Sequence, residues 1–514
     1  MDTLSEMLRY WADLRPDHLA VTIEGQELTW AELDRSSDAI AAGLAARGIG
    51  ERDVIAILTE NCLEFIEVTF AALKLGAIVS PLNIRWTASE LLYPLQDSGA
   101  RLMIASEVFA EKVAIVSEKL PHLQTYFVTA SGQGSFDELR ATSEPTPAWR
   151  GEGSDVAFVC YTSGTTGFPK GSLITHEGIL AAGVAKALAA GITWRDKLLI
   201  VNPLVYTSGI LTKFLETAFV VGAATVITRG FHPAEFLRLV EEEGITMTSA
   251  VPVILEAVMH NEAFATTDLS TLSIVWAGGA AVSEALLLTW RSRGVPLMQA
   301  YGLTELSGAS GILLSPEDAE ARPTSAGRPV LFHKVRIVES DGTECERGEI
   351  GEIAIRGPAV MKGYLNRPEQ TAETIRDGWL HTGDMGRMDA EGYIYIIDRR
   401  KDLIISGGIN TYPAEIERVL SGRLGLDELS VIGIPDERWG QVPVLLVPQV
   451  EQVDVPELIA LCEAELADYK RPKYLIDVGG PLPRTLSGKV DKNDLRDRFG
   501  APPADAIALR RTSR

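Results

Sequence analysis

The sequence predicts an α/β fold of layered, largely parallel sheets, and two observations carry that reading. The first is alternation. Short β-branched runs at 197–202, 223–228, 246–251 and 273–277 are separated by helix-like stretches such as 233–243 and 283–293, the order in which parallel strands are joined by crossover helices. The second is size: 514 residues are too many for one hydrophobic core, so two or three units are expected. After 394–397 (IYII) the pattern restarts in a smaller α+β unit, with a helix at 414–420, strands at 429–434 and 442–450, and a helix at 455–467. The charged run Asp398-Arg399-Arg400-Lys401-Asp402 marks the boundary. The chain therefore divides into a domain at 1–397, a connecting segment at 398–402 and a domain at 403–514.

At the N-terminal end, residues 1–20 intersperse Leu4, Met7, Leu8 and Trp11 with Glu6, Arg9 and Asp13, which reads as an amphipathic helix and not a signal peptide. No apolar stretch reaches the ~18 residues that span a membrane; 217–228 comes nearest. The C-terminal Arg511-Thr512-Ser513-Arg514 carries no S-K-L signal. Cys62, Cys160, Cys345 and Cys462 are scattered without a C-x-x-C pair, so neither a zinc site nor a disulfide framework is indicated, and a reduced cytoplasm is expected. A net charge of −22 opposes nucleic-acid binding. It also means that cations for a polyanionic ligand must be gathered locally. One such gathering is 469–492, where Lys470, Arg471, Lys473, Arg484, Lys489 and Lys492 outnumber Asp477 and Asp491; for 470–473 a solvated charged loop is the competing reading. Oligomeric state is not fixed by the pattern, and a homodimer stays open.

The most informative stretch is 161–171. Residues 155–161 (DVAFVCY) read as a buried strand, and a turn follows it in which Thr162, Ser163, Gly164, Thr165, Thr166 and Gly167 lead to Phe168, Pro169, Lys170 and Gly171. Glycines let backbone N–H groups approach phosphate oxygens, hydroxyls add donors, and Lys170 supplies a point charge. The spacing is not that of a Walker loop, because Phe168 and Pro169 separate Gly167 from Lys170. Elsewhere, Tyr301 offers a flat face for stacking and Glu305 offers hard oxygens to magnesium. A core tyrosine and a surface glutamate are the bland alternatives. Asp384 after Gly383 could accept from two vicinal hydroxyls or close an ordinary Asp turn. Lys489 sits in a Pro/Gly/Ser-punctuated loop, expected to be mobile and at the surface.

These elements, in this order, resemble the adenylate-forming superfamily: acyl- and aryl-CoA synthetases, adenylation domains and beetle luciferases. The resemblance rests on T-S-G-T-T-G-x-P-K-G at 162–171, W-A-G-G-A-A at 276–281, Q-A-Y-G-L-T-E at 299–305, G-W-L-H-T-G-D at 378–384, D-R-R-K-D at 398–402 and P-R-T-L-S-G-K-V at 483–490. It implies a large N-terminal domain and a small mobile C-terminal domain. It also implies an ATP- and magnesium-dependent enzyme that joins a carboxylic acid to coenzyme A through an acyl-adenylate. On the residues that match, the nucleotide would meet the 162–167 loop, Gly278, Gly279, Ala280, Tyr301, Gly302, Asp384, Ile396 and Arg399. Thr304 would touch phosphate and Glu305 would hold magnesium, while Lys170 and Lys489 would act in catalysis and Lys401 as the hinge. Gly407, Gly408, Trp439, Tyr469 and Arg471 would face coenzyme A; a core or lid tryptophan is the other reading of Trp439.

The acyl pocket is read by family position as Tyr206, Thr207, Gly209, Phe231, Val251, Leu303 and Ser307. Many relatives carry histidine where Tyr206 stands, so a gating role does not transfer to it. Gly278 and Gly279 leave room and no arginine lies in these stretches, which favours a monocarboxylate with an apolar medium-chain, alicyclic or aryl body. The alternative is a stand-alone adenylation enzyme that loads the phosphopantetheine of a carrier protein. A luciferase-like oxygenase shares the fold class, and no G-x-S-x-G elbow suggests a serine hydrolase.

Overall fold

Six parallel strands form the centre of a nine-strand sheet: Leu297–Ala300, Ile274–Gly278, Met247–Ala250, Lys197–Ile200, Ala224–Ile227 and Leu19–Ile23, in that spatial order. The computed structural model describes residues 1–128, 134–140, 149–162, 169–279, 282–308, 311–399, 402–406, 409–421, 428–436, 439–485, 489–503 and 505–509. Packing divides them into two units, Met1–Val335 with Ile355–Leu380, and Arg336–Ala354 with His381–Arg514. The sheet belongs to the first. Because its central strands are parallel, all their carboxyl ends open on one edge, the edge at which open α/β sheets receive ligands.

Helices cover both faces of the sheet, as its apolar strands require. On one face Val275 and Ala277 pack with Phe236, Phe264 and Trp290, from helices and turns at Pro233–Glu243, Glu262–Ala265 and Glu284–Ser292. Pro233 stands in the first helical turn, where its missing N–H is harmless. On the other face lie Trp30, Phe70, Phe214 and Phe219, with ring centroids 5.0–6.5 Å apart. The first helix, Leu4–Leu14, is shorter than the 1–20 expectation. A Thr3/Glu6 capping box starts it, and Arg15 precedes Pro16, a position at which the α conformation is sterically disfavoured. The chain then turns directly into strand Leu19–Ile23.

A second, seven-strand sheet of the same unit contains Val156–Thr162 and Lys170–Thr175. These two strands are antiparallel, with Thr162 opposite Lys170. Lys170 is therefore the first residue of the second strand, not part of the expected turn. Residues 163–168, including Ser163, Gly164, Thr165, Thr166 and Gly167, lie outside the described residues. Strand Gly363–Tyr364 adds to the free side of Lys170–Thr175.

Two further sheets supply most of the strands of the second unit. One places Lys334–Val338, Ile350–Arg356 and Trp379–Met388 side by side, with Ile394–Arg399 paired to the last. The other orders Ile409–Thr411, Ile404–Ser406, Gly440–Val447, Tyr474–Asp477 and Ile507–Ala508, with Ser430–Asp436 paired to Gly440–Val447. Helices Pro413–Ser421 and Val455–Glu465 pack on it through Ile416, Leu420, Leu458 and Cys462.

One buried side chain ties strand ends of the first unit together. Asn61, 3% exposed, donates to the carbonyls of Asn202 (3.1 Å) and Thr228 (2.8 Å) and accepts from the N–H of Leu204 at 2.7 Å. It thereby fixes the Pro203-Leu204 backbone that leads to Tyr206. Asn61→Ala leaves three buried backbone groups without partners, each worth about 1–3 kcal/mol. A loss of stability on the order of 3 kcal/mol or more is expected from urea unfolding; a change below about 1 kcal/mol would mean that the three groups find other partners.

Candidate active site

Most of the predicted residues of the first unit meet at the carboxyl edge of its nine-strand sheet. Gly278 ends strand Ile274–Gly278 and pairs with Ala300, so Gly278, Gly279, Tyr301 and Gly302 emerge from neighbouring strands. A Cβ at Gly278 would lie 2.9 Å from the Ala300 carbonyl oxygen, and Gly279 has φ +85°, so both positions require glycine. Val251 follows strand Met247–Ala250, and a Cβ at Gly279 would lie 3.5 Å from it. Tyr206 and Thr207 follow strand Lys197–Ile200. Gly209 opens a helix with π-type bonding, Ser208–Ala218, where a Cβ would meet the Pro203 carbonyl oxygen at 2.3 Å. Phe231 packs instead against the core on the Val275 and Ala277 face. Ala280 lies outside the described residues.

Glu305 sits in the turn Thr304–Leu306, and its environment contains a residue the sequence reading missed. The Tyr364 hydroxyl donates to Glu305 Oε1 at 2.8 Å, and the Lys170 ammonium lies 5.0 Å from the centroid of the same tyrosine ring. Burial, and then the neighbouring Glu305 charge, push the Tyr364 phenol far above its ordinary value. Tyr364 therefore stays a hydrogen-bond donor. It occupies one carboxylate oxygen and leaves Glu305 a hard oxygen for a divalent cation. The backbone is held as well: Met361 N–H donates to the Glu305 carbonyl at 2.9 Å, and the Ser307 hydroxyl to the Ala359 carbonyl at 2.9 Å.

Thr304 Oγ1 lies 3.3 Å from Thr207 Oγ1, joining the two turns. Leu303 is half-buried beside them, and Ser307 is fully buried. The Tyr206 hydroxyl donates to Asn83 Oδ1 at 3.4 Å, and burial raises its pKa against the lowering charge of Arg85. Thr162 Oγ1 reaches the Lys170 carbonyl at 3.5 Å. Chemically, this edge can hold a polyanion with its counter-cation.

In the second unit Asp384 is buried inside the ten-residue strand Trp379–Met388, not in a turn. It stands opposite Arg399, and Ile396 opposite Gly386. Lys489 is exposed, and its carbonyl accepts from Thr485 N–H at 2.7 Å. Trp439 is 38% exposed and its backbone N–H donates to Asp436 Oδ1. Tyr469 is half-buried with the Lys470 ammonium 5.6 Å from its ring centroid. Arg471 donates to the carbonyls of Leu466 (2.9 Å) and Glu463 (3.1 Å) at the end of helix Val455–Glu465. Most of the expected cation excess is matched by acids distant in sequence: Lys470 by Glu415, Lys473 by Asp436, Arg484 by Glu428 and Lys492 by Glu417. Lys401, Gly407 and Gly408 lie outside the described residues. Among the described residues no helix is long and apolar enough to cross a membrane.

An anion-handling α/β enzyme is the class this edge defines, and comparison with known proteins agrees. The chain matches the AMP-binding enzyme family over residues 8–365 and the AMP-binding enzyme C-terminal domain over 415–489. It is 35% identical over 505 residues to the long-chain-fatty-acid–CoA ligase FadD13 of Mycobacterium tuberculosis, covering 98% of this chain and 99% of that one. It is 37% identical over 492 residues to a feruloyl-CoA synthase of an Amycolatopsis species, covering 95% and 97%. The structure of O-succinylbenzoate coenzyme A synthetase (MenE) from Bacillus subtilis, in complex with ATP and magnesium ion, matches with a TM-score of 0.84 at 34% identity, covering 96% and 99%. The chain belongs to the AMP-binding enzyme family, within the adenylate-forming superfamily.

The Tyr364–Glu305 contact can be read directly. In the folded protein Tyr364 is expected to stay protonated at the pH, about 10, where free tyrosines ionise. In Glu305→Gln its titration, followed by NMR of ring-labelled tyrosine, is expected to move down, because the raising charge of the Glu305 carboxylate is gone. An unchanged titration would place the Glu305 carboxylate away from Tyr364.

Proposed function

We propose that the protein is an AMP-forming carboxylate–CoA ligase that activates a monocarboxylic acid with a medium-chain, alicyclic or aryl body. The observation that carries this reading is the Glu305–Tyr364 hydrogen bond with Lys170 over the same ring, at the carboxyl edge of a parallel sheet. Three relatives named as CoA ligases or synthases support coenzyme A, and not a carrier protein, as the acceptor. A cytoplasmic setting follows from ATP and coenzyme A as co-substrates.

The reaction has two steps. The acid's carboxylate oxygen attacks the α-phosphorus of ATP and the bond to the β,γ-diphosphate breaks, giving an acyl-adenylate and pyrophosphate. The coenzyme A thiolate then attacks the acyl carbon, and AMP leaves with the electron pair of the C–O bond. Tyr301, Gly278 and Gly279 would cradle the purine, Asp384 the ribose hydroxyls, and Thr304 with the 162–167 loop the phosphates. Magnesium accompanying ATP would be held by the Glu305 oxygen that Tyr364 leaves open, and would screen phosphate charge. Lys170 and Lys489 each offer an ammonium to the negative charge that gathers on the leaving oxygens. Tyr206, Thr207, Val251 and Leu303 would border the acyl group, while Trp439 and Tyr469 would serve coenzyme A. Lys401 would turn the 403–514 domain between the two steps.

Two variants test this. A unit charge about 4 Å away is worth roughly 4 kcal/mol at an effective dielectric near 20, and about 1.4 kcal/mol is a decade in rate. Lys489→Ala is accordingly expected to slow pyrophosphate release by up to about three decades, while still converting a supplied acyl-adenylate to thioester. Normal pyrophosphate release would remove Lys489 from the mechanism. Lys401→Pro fixes φ near about −65° and is expected to spare adenylation and depress thioester formation. Equal loss of both steps would speak for misfolding and against a hinge.

A further inference from the structure

Asp384, proposed above to hold the ribose hydroxyls, stands at an irregularity of its strand. Every second residue of Trp379–Met388 is buried, the period of an ordinary strand. Yet Gly383 has φ +71°, and the register against Ile394–Arg399 shifts between Met385 and Gly386. A Cβ at Gly383 would meet nothing within 4 Å, so glycine is needed there for the left-handed backbone and not for space. A left-handed residue just before Asp384 and a register shift just after it give the segment a direction that a regular strand would not.

Side chains hold this segment in place. The Gly383 N–H donates to Glu352 Oε1 at 3.0 Å, and the Asp384 N–H to Thr382 Oγ1 at 3.1 Å. Thr382 is anchored in turn, because its hydroxyl donates to the Ile353 carbonyl at 2.8 Å. The second Glu352 oxygen, Oε2, lies 3.1 Å from His381 Nδ1. From the neighbouring strand Ile350–Arg356, Glu352 therefore grips Trp379–Met388 at two residues, His381 and Gly383. The Glu352 side chain is 9% exposed and that of His381 is 8% exposed, and Gly351, Ile353 and Ala354 beside Glu352 are buried. A buried carboxylate is costly unless it is paired and hydrogen-bonded, and an apolar side chain would pack this sheet as well. What the carboxylate adds is a fixed acceptor for the backbone N–H that precedes Asp384.

We propose that Glu352 is a positioning residue for Asp384. With the Thr382 hydroxyl it sets the backbone from which the Asp384 carboxylate meets the ribose hydroxyls, so that the choice of a ribonucleotide over its dideoxy analogue depends on a residue one strand away. The inference rests on the ligase reading, in which Asp384 binds ribose, and adds to it a residue that acts through Asp384.

The test compares ATP with 2′,3′-dideoxyATP in kcat/KM for acid-dependent pyrophosphate release. A site built to hydrogen-bond a substrate hydroxyl strongly rejects the analogue that lacks it, so the unaltered protein is expected to prefer ATP by about 100-fold or more. In Glu352→Ala the preference is expected to shrink to within about tenfold, through a loss on ATP with the dideoxy analogue nearly unaffected. Glu352→Gln keeps an oxygen that can accept the Gly383 N–H and is expected to retain most of the preference. Thr382→Val replaces the hydroxyl by a methyl group and is expected to narrow the preference as well; it decides the matter if Glu352→Ala does not fold. A residue that only supports the sheet would lower both nucleotides alike, so an unchanged ratio in either folded variant overturns the inference. Acid-dependent release with no preference for ATP in the unaltered protein also overturns it, and leaves the ligase reading standing. If no acid releases pyrophosphate, the ligase reading fails, and the same ratios are read without turnover from calorimetric dissociation constants of AMP and 2′,3′-dideoxyAMP, where absence of a preference again overturns the inference.

Discussion

Much of the candidate site depends on one hydrogen bond, from Tyr364 to Glu305. It links two sheets of the first unit. Glu305 belongs to the turn after strand Leu297–Ala300, while Tyr364 belongs to the strand added beside Lys170–Thr175. The tyrosine can reach because Gly363 has φ +147° and packs against Thr371, whose hydroxyl accepts the Tyr364 N–H at 2.9 Å. Holding a half-buried carboxylate in place requires a donor that does not ionise, and a buried phenol beside a negative charge meets that requirement. The same ring brings the Lys170 ammonium near. An acid for a cation and a cation for phosphate are thereby set by a single side chain.

Charge is the second constraint. With a net −22, the protein's field opposes every polyanion it is proposed to use. Basic residues near 470–492 do not simply add to a positive face, because Glu415, Asp436, Glu428 and Glu417 engage four of them. Such half-exposed pairs contribute little to stability. Their effect is to hold Lys470, Lys473, Arg484 and Lys492 in fixed places. In the first unit Lys170 faces the Tyr364 ring.

The fold was legible where local pattern dominates. Runs at 197–202, 223–228, 246–251 and 273–277 became Lys197–Ile200, Ala224–Ile227, Met247–Ala250 and Ile274–Gly278, and 283–293 became Glu284–Ser292. Hydrophobic periodicity and caps are local signals, and they survive folding. The site was legible as motifs and not as contacts. Tyr364 lies 59 residues from Glu305, and nothing in its neighbourhood marks it as a ligand to that acid. Asn61 binds groups 141 to 167 residues away. Asp384 looked like a turn residue because Gly383 precedes it, yet the register of Trp379–Met388 with Ile394–Arg399 buries it in a strand.

The central claim is that this chain cleaves ATP at the α-phosphate to build an acyl-adenylate. The most direct measurement is the identity of the nucleotide product by phosphorus NMR, with ATP, magnesium and a panel of carboxylic acids and without coenzyme A. AMP and pyrophosphate formed only when an acid is present is the expected result. ADP and orthophosphate, or nucleotide turnover indifferent to the acid, would contradict it.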